Sequence, residues 1–408
     1  MNEAGRVTAN LLKTNGFEQC VKCTICTAYC PIVQTNPLFP GPKQAGPDGE
    51  RLRLKNGSFF DESLKYCLNC KRCDVACPSG VKISDIIQTA RDRFGSGKVK
   101  LRDAMMSNTD LMGHVAVPFA PVVNAVLGND LARKAIDSVA GVARKAPLPN
   151  FSSKTFEHVF KRGLAPSQEA FSKSVNYFHG CYVNYMFPSL GVDFVRLMNA
   201  LGYGVKLLDG EKCCGVAMIA AGSFDKARSR ARHNVEVLSK ASGPVLTTST
   251  TCALTMRDEY PEVLGVDNSA VRSRISFVLK FVCEVLERGE ATLKFKPDFH
   301  ARVAYHVPCH LERLGWSIFT RELMAMIPGL EVVLLDSACC GLAGTYGCKK
   351  ENYEVSQAVG RKLFRQIEEV KPDFVITECE TCKWQIERST GYKVKHPLSL
   401  LVEALDIK

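Results

Sequence analysis

Several features are missing from this 408-residue chain, and each absence narrows what it can be. No run of 18 or more uninterrupted apolar residues occurs, so no segment reads as a convincing membrane-spanning helix. The nearest candidate, Leu111–Gly128, is broken by His114, Pro118, Pro121 and Asn124. Met1–Leu12 lacks a basic start followed by an apolar stretch, which argues against a secretory signal. No G-x-G-x-x-G motif and no G-x-x-x-x-G-K-[ST] loop is present. Gly95-Ser-Gly-Lys98 lacks both the leading glycine and the trailing hydroxyl residue of a phosphate loop. Neither flavin nor nicotinamide is therefore expected on this chain. No basic-aromatic motif of a nucleic-acid reader is visible, so nucleic acid is not an expected partner. The net charge of +11 then reads as solubility or as attraction to an anionic surface.

What is abundant is cysteine, 19 residues of it. Clustered cysteines without an export signal read as metal ligands in a reducing cytoplasm, not as disulfides. Two runs, Cys20–Pro31 and Cys67–Pro78, each spell C-x2-C-x2-C-x3-C-P. That is the spacing of a ferredoxin with two [4Fe–4S] clusters. Three cysteines wrap one cluster in a tight loop, and the fourth, before proline, reaches the other. The expected sets are Cys20, Cys23, Cys26 with Cys77, and Cys67, Cys70, Cys73 with Cys30. Structural zinc takes two separated cysteine pairs, which these runs do not resemble.

The remaining chemistry lies in an internal repeat. Val175–Cys181 matches Val303–Cys309, Val205–Gly215 matches Val332–Gly341, and Val245–Cys252 matches Phe374–Cys382, at offsets of 126–130 residues. β-branched runs precede the cysteines and helical stretches separate them, which predicts two α/β, Rossmann-like units with cysteines at strand C-terminal ends. The second unit supplies Cys309, Cys339, Cys340, Cys379 and Cys382. Five thiolates exceed the need of one zinc and suit a redox or metal site of a more open kind. The first unit supplies Cys181, Cys213, Cys214 and Cys252, with Ser249 where a fifth cysteine would stand, so occupancy there is open. Cys283 reads as core, and Cys348 as a neighbour of the second set or inert. Among His179, His306, His310 and His396, each reads first as a packing residue, with His310 the candidate proton donor.

The expected architecture is α+β and multidomain. A helical ferredoxin-like domain spans 1–100, a connector 101–172, and the two cysteine-rich repeats 173–295 and 296–408. Within the connector, Leu131–Lys145 reads as one amphipathic helix, with Leu131, Ala135, Val139 and Val142 opposite Arg133, Lys134, Asp137, Arg144 and Lys145. It packs on the next domain or docks on a membrane surface.

The repeated C…C-C-G…C-x2-C pattern resembles the CCG domain of heterodisulfide reductase B subunits. The front half is similar to the ferredoxin domain of the C subunits and of succinate dehydrogenase iron–sulfur subunits. Nearly the whole chain resembles the iron–sulfur subunit family of anaerobic glycerol-3-phosphate dehydrogenases. The segments that carry this are Pro40–Leu54, Asp110–Gly113, Pro118–Pro121, Gly344–Gly347, Lys349–Tyr353 and Cys379–Glu387. The resemblance implies a pair of flavoprotein partner subunits that oxidise sn-glycerol 3-phosphate to dihydroxyacetone phosphate. This chain would pass the electrons to the menaquinone or quinone pool. It would lie peripherally on the cytoplasmic face of the inner membrane. The resemblance also implies a non-cubane cluster at the complete five-cysteine set, which becomes the expected end of the electron path. The alternatives are a heterodisulfide or thiol–disulfide reductase, and the iron–sulfur subunit of a glycolate or lactate oxidase.

Overall fold

A computed structural model describes residues 16–56, 59, 61–95 and 99–407. Residues 1–12 and 96–98, on which two of the negative readings rest, lie outside the described set.

Two four-stranded parallel sheets carry the repeats. The first contains β1 (Lys173–Tyr177), β2 (Tyr203–Leu207), β3 (Val245–Thr247) and β4 (Ile275–Phe277), in the order β2-β1-β3-β4. The second contains β5 (Ala301–Tyr305), β6 (Leu330–Leu334), β7 (Phe374–Ile376) and β8 (Val394–Lys395), in the order β6-β5-β7-β8. The short central strands β3 and β7 are apolar and covered on both faces, as parallel strands flanked by helices must be. In each sheet the chain crosses one way from the first strand to the second and the other way to the third. The switch point therefore falls between β1 and β3, and between β5 and β7. The segments that follow the first three strands of each sheet, loops and the first turns of helices, hold all nine repeat cysteines. A single apolar core runs through both sheets, from Val175, Tyr177 and Phe194 to Val303, Tyr305 and Leu401. The halves are fused, not strung apart.

The ferredoxin-like unit is built on two loops of matching shape. Lys22 and Thr24 in one loop, and Asn69 and Lys71 in the other, take left-handed backbone angles at φ 58°, 64°, 54° and 63°. Such alternation turns successive N–H groups to one side and makes a nest for negative charge. A one-turn helix follows in each, Ile25–Ala28 and Arg72–Val75. Helix Ile83–Phe94 lies behind them and buries Ile83, Ile86, Ile87 and Ala90. Ser84, a good capping residue by type, does not cap this helix. Lys82 holds the cap position, and the Ser84 amide and hydroxyl both donate to Asp74. The turn-rich stretch between the two motifs is also more helical than its prolines and glycines imply. Gln44–Asp48 forms a wide helical turn that runs into Gly49–Lys55.

The connector departs furthest from expectation. Thr109–Gly128 is one helical run, long and apolar enough by length and composition to cross a membrane. Its prolines do not break it, because Pro118 and Pro121 each sit in the first turn of a new segment, where no N–H partner is lost. The next helix is Asp130–Ala140 and stops at Gly141, which adopts φ 68°. Val142 lies beyond it, bridged to Lys349, so it does not share the helix face. Arg133 and Arg144 are not free cations either. Arg133 donates to the carbonyls of Leu127, Arg144 and Ala146, and Arg144 pairs with Asp130. The apolar face of this helix is not packed on the next domain. Leu131 is 77% exposed and Val139 90%.

Candidate redox centres

Thiols gather at four places. Cys20, Cys23, Cys26 and Cys77 line one recess. Cys30, Cys67, Cys70 and Cys73 line another. The fourth cysteine of each run has crossed to the other run's loop, so both recesses hold thiols from both motifs. Burial pushes the Cys30 thiol up to about 12 and Cys67 up to about 11, and neighbouring thiols add to the first effect. Anionic sulfur is tolerable in such surroundings only beside a bound cation. Among the described residues, no three His, Cys, Asp or Glu side chains close on one point as a single metal ion would need. Thiols standing around a void, under a nest of amides, fit a multi-iron cluster better than zinc.

The second repeat brings its five cysteines into one chain of contacts. Cys309, Cys339, Cys340, Cys382 and Cys379 each stand within hydrogen-bonding reach of the next. All five are buried. Gly341 makes the turn after the pair. It sits at φ 88°, and a Cβ there would come within 2.1 Å of the Ser356 carbonyl oxygen. The Gly341 amide points back at Cys339 Sγ, 3.4 Å away. This set touches the ferredoxin-like unit directly, because the Cys70 and Cys339 thiols are within hydrogen-bonding reach. Arg72 braces the contact through Ser337 and Glu312.

In the first repeat, Cys181, Cys213, Cys214 and Cys252 form a similar chain of contacts. Ser249 accepts a hydrogen bond from the Cys252 amide and caps the helix Thr250–Leu254. Its hydroxyl also faces the Glu380 carboxylate of the other repeat, at 3.3 Å. The fifth position of this site is therefore turned toward an acid from the second repeat.

Residues 175–257 and 303–387 match the family described as Cysteine-rich domain, and residues 16–81 match the 4Fe-4S dicluster domain. The chain is 52% identical over 97% of its length, and 100% of the relative's, to the C subunit of the anaerobic glycerol-3-phosphate dehydrogenase of Escherichia coli K12. This chain belongs to the family of that C subunit. It is also 25% identical to the B subunit of the fumarate reductase (CoM/CoB) of Methanothermobacter marburgensis, over 92% of this chain and 68% of that one. A crystal structure of a hypothetical protein from Helicobacter pylori shares the fold, with a TM-score of 0.51 at 13% identity, covering 100% of this chain and 78% of that one. As a member of the glycerol-3-phosphate dehydrogenase C-subunit family with a dicluster domain and two CCG domains, the chain is an iron–sulfur electron-transfer protein.

The histidines of this iron–sulfur protein serve mainly as ties. His310 is held through Nδ1 by Thr251 of the first repeat and through Nε2 by the Asn69 carbonyl of the ferredoxin-like unit. His396 bonds the Leu398 amide and the Thr248 carbonyl. His306 is buried beside Cys340 with Nε2 unpartnered. His179 lies between Glu157 and Glu211. Cys283 is buried in the core and faces the Phe319 carbonyl. Cys348 is directed at the Pro147 carbonyl at 3.7 Å and shares an apolar cluster with Cys340, Cys379 and Cys382.

Sequence reasoning missed the buried network that holds the ferredoxin-like unit in place. Lys71 reaches Asp85 at 2.5 Å and Glu259 at 3.0 Å, and Asn69 donates to Glu259 at 2.7 Å. Lys71 and Asn69 sit inside the second cysteine motif, so the loop that presents Cys70 is anchored from 190 residues away. Motif spacing carries no trace of that partnership.

Proposed function

We propose that this chain relays electrons from flavoprotein dehydrogenase subunits that oxidise sn-glycerol 3-phosphate to the membrane quinone pool. The contact of Cys70 with Cys339 is the observation that carries the reading. It joins the ferredoxin-like unit to the complete repeat set with no intervening residue. In this reading Cys20, Cys23, Cys26 and Cys77 hold one [4Fe–4S] cluster, and Cys30, Cys67, Cys70 and Cys73 the other. Cys309, Cys339, Cys340, Cys379 and Cys382 hold a non-cubane cluster, and Cys181, Cys213, Cys214 and Cys252 form a fourth site. Such clusters, when bound, supply one-electron carriers whose potential follows charge and hydrogen bonding at sulfur. The chain then divides into an entry unit at 1–100, a connector at 101–172, and repeats at 173–295 and 296–408.

We place the chain on the cytoplasmic face of the inner membrane, and the connector's exposed apolar stripe supports the membrane contact. Leu111, Val115, Phe119, Val122 and Val126 are spaced along one stripe of the Thr109–Gly128 helix, and each is 45–65% exposed. The opposite stripe, with Gly113, Ala116, Val117 and Ala120, is buried on the protein. A helix apolar on both sides needs an apolar partner on each. The thiol–disulfide reductase reading draws no comparable support, since all five thiols of the complete set are buried.

Anaerobic purification with iron and sulfide counts, EPR, and substrate-driven reduction of a menaquinone analogue tests the proposal. Reducible cluster signals and quinol formation are expected. A colourless, zinc-containing protein, or one that reduces a heterodisulfide but never the quinone, would sink it.

A further inference from the structure

We propose, resting on the electron-transfer reading above, that electrons leave this chain at the first-repeat cysteine set, and that a lipid-soluble quinone meets it beside Cys181, at the foot of the Thr109–Gly128 helix. This differs from the expectation that the complete five-cysteine set ends the path.

The order of the sites argues for it. The five-cysteine set faces the ferredoxin-like unit through Cys339 and faces the first repeat through its last loop. Thr251 Oγ1 lies 4.0 Å from Cys379 Sγ, and Ser249 meets Glu380. The first-repeat set follows next, and it meets the Thr109–Gly128 helix. Asp110 accepts from the Cys213 amide at 3.1 Å and is itself held by Arg230 at 2.7 Å. The buried Thr109 hydroxyl stands beside the Cys181 and Cys213 thiols and has no conventional hydrogen-bond partner. Cys181 packs against Ala116, Val117, Ala120 and Tyr185.

Access points the same way. Of the nine thiols in the two repeat sets, Cys181 alone is not buried. The helix above it is packed close, with Gly113 so near the Tyr185 ring that a Cβ would come within 2.3 Å. Cys181 and the exposed apolar stripe are thus held in one registration.

The occupant of that stripe is an anionic bilayer surface. The run of 20 residues is about 30 Å long at 1.5 Å per residue, enough to lie along the interface. Lys134 and Lys145 stand exposed on the following segment and form no salt bridge with a described residue, which suits anionic headgroups. The nearby acids Asp110, Asp130 and Asp137 are each paired with a cation. Two electrons, supplied by the partner's reduced flavin, and two protons from the aqueous edge convert the quinone to the quinol.

Photolabelling of the whole complex in anionic vesicles with an azido-naphthoquinone, followed by peptide mapping, tests the assignment. Label is expected within residues 109–128 or 180–186. A Gly113→Ala chain should lose label there while its substrate-reducible EPR signals persist. Label confined to the loops at 306–312, 336–342 or 378–384, or to partner subunits, overturns the exit site and leaves the electron-transfer reading standing. A complex that never reduces the quinone overturns both.

Discussion

The two repeats share strand order, parallel register and the positions of four cysteines, yet the loop after the third strand differs in kind. In the first repeat it reads Thr247-Thr-Ser-Thr-Thr-Cys252, and in the second Thr377-Glu-Cys-Glu-Thr-Cys382. The tyrosine of the first strand shows the consequence. Tyr177 meets the Thr248 hydroxyl at 3.1 Å, whereas Tyr305 donates to the Glu378 carboxylate at 2.7 Å, joined by Thr320 at 2.6 Å. Burial pushes Glu378 up to about 7. The fold tolerates either loop, because the strand and helix on each side set the frame. What changes is the charge and the thiol count that the frame presents. The surroundings differ as well. The thiol set of the second repeat meets the ferredoxin-like unit at Cys70, and that of the first meets the Thr109–Gly128 helix.

The comparison breaks most plainly at the contact between units. Cys339→Ser should stop quinol formation almost completely while partner flavin is still reduced by substrate, as followed by flavin bleaching. Loss of bleaching would show that the contact is structural. A smaller but still large effect is expected where the ferredoxin-like unit is anchored. Burial alone would raise Glu259, but Lys71 holds it down to about 2. Because the folded value lies below the ordinary one, its stabilisation is complete above about pH 4.5 and is lost as pH falls toward about 2. Glu259→Gln should cost roughly 3–5 kcal/mol, the usual result of removing one partner from a buried pair. Urea midpoints at pH 7 would measure it, and an unchanged midpoint would remove the anchoring role.

The connector tests the difference in surroundings. Val115→Glu with Phe119→Glu should weaken vesicle binding by at least about tenfold, since burying each apolar side chain is worth about 1.5–3 kcal/mol. Flotation of the complex with anionic liposomes would read this out. Equal flotation would leave the exposed stripe without a lipid partner. The smallest effect belongs to Ser249. Ser249→Ala removes a helix cap and should cost about 1 kcal/mol in thermal unfolding, with iron content unchanged. Loss of iron would mean that the serine oxygen is itself a ligand.

The cysteine motifs were legible because ligand spacing is local. Three thiols two residues apart can only wrap one face of a cluster, and Pro31 and Pro78 mark where the chain leaves it. The main strands were legible too, since β-branched runs end where the cysteine loops begin. The apolar runs Glu331–Leu335 and Asp373–Ile376 place β6 and β7, although the short β4 and β8 carried too little pattern to be seen. The connector was misread for a physical reason. Helix Asp130–Ala140 has the periodicity of a packed helix, but periodicity does not say which side the protein covers. Prolines 118 and 121 looked like breaks until their positions in first turns were known.

By itself, then, the sequence determined which residues carry the chemistry: eight cysteines in tandem runs, nine more in a duplicated α/β frame, and Ser249 in place of a tenth. Only the tertiary structure decided how these sets are ordered. Cys70 meets Cys339, Ser249 meets Glu380, and Cys181 meets the exposed helix through contacts between segments far apart in the chain. Thiol spacing is written into short local runs, but adjacency between sets depends on how whole sheets and helices bury their apolar faces against one another.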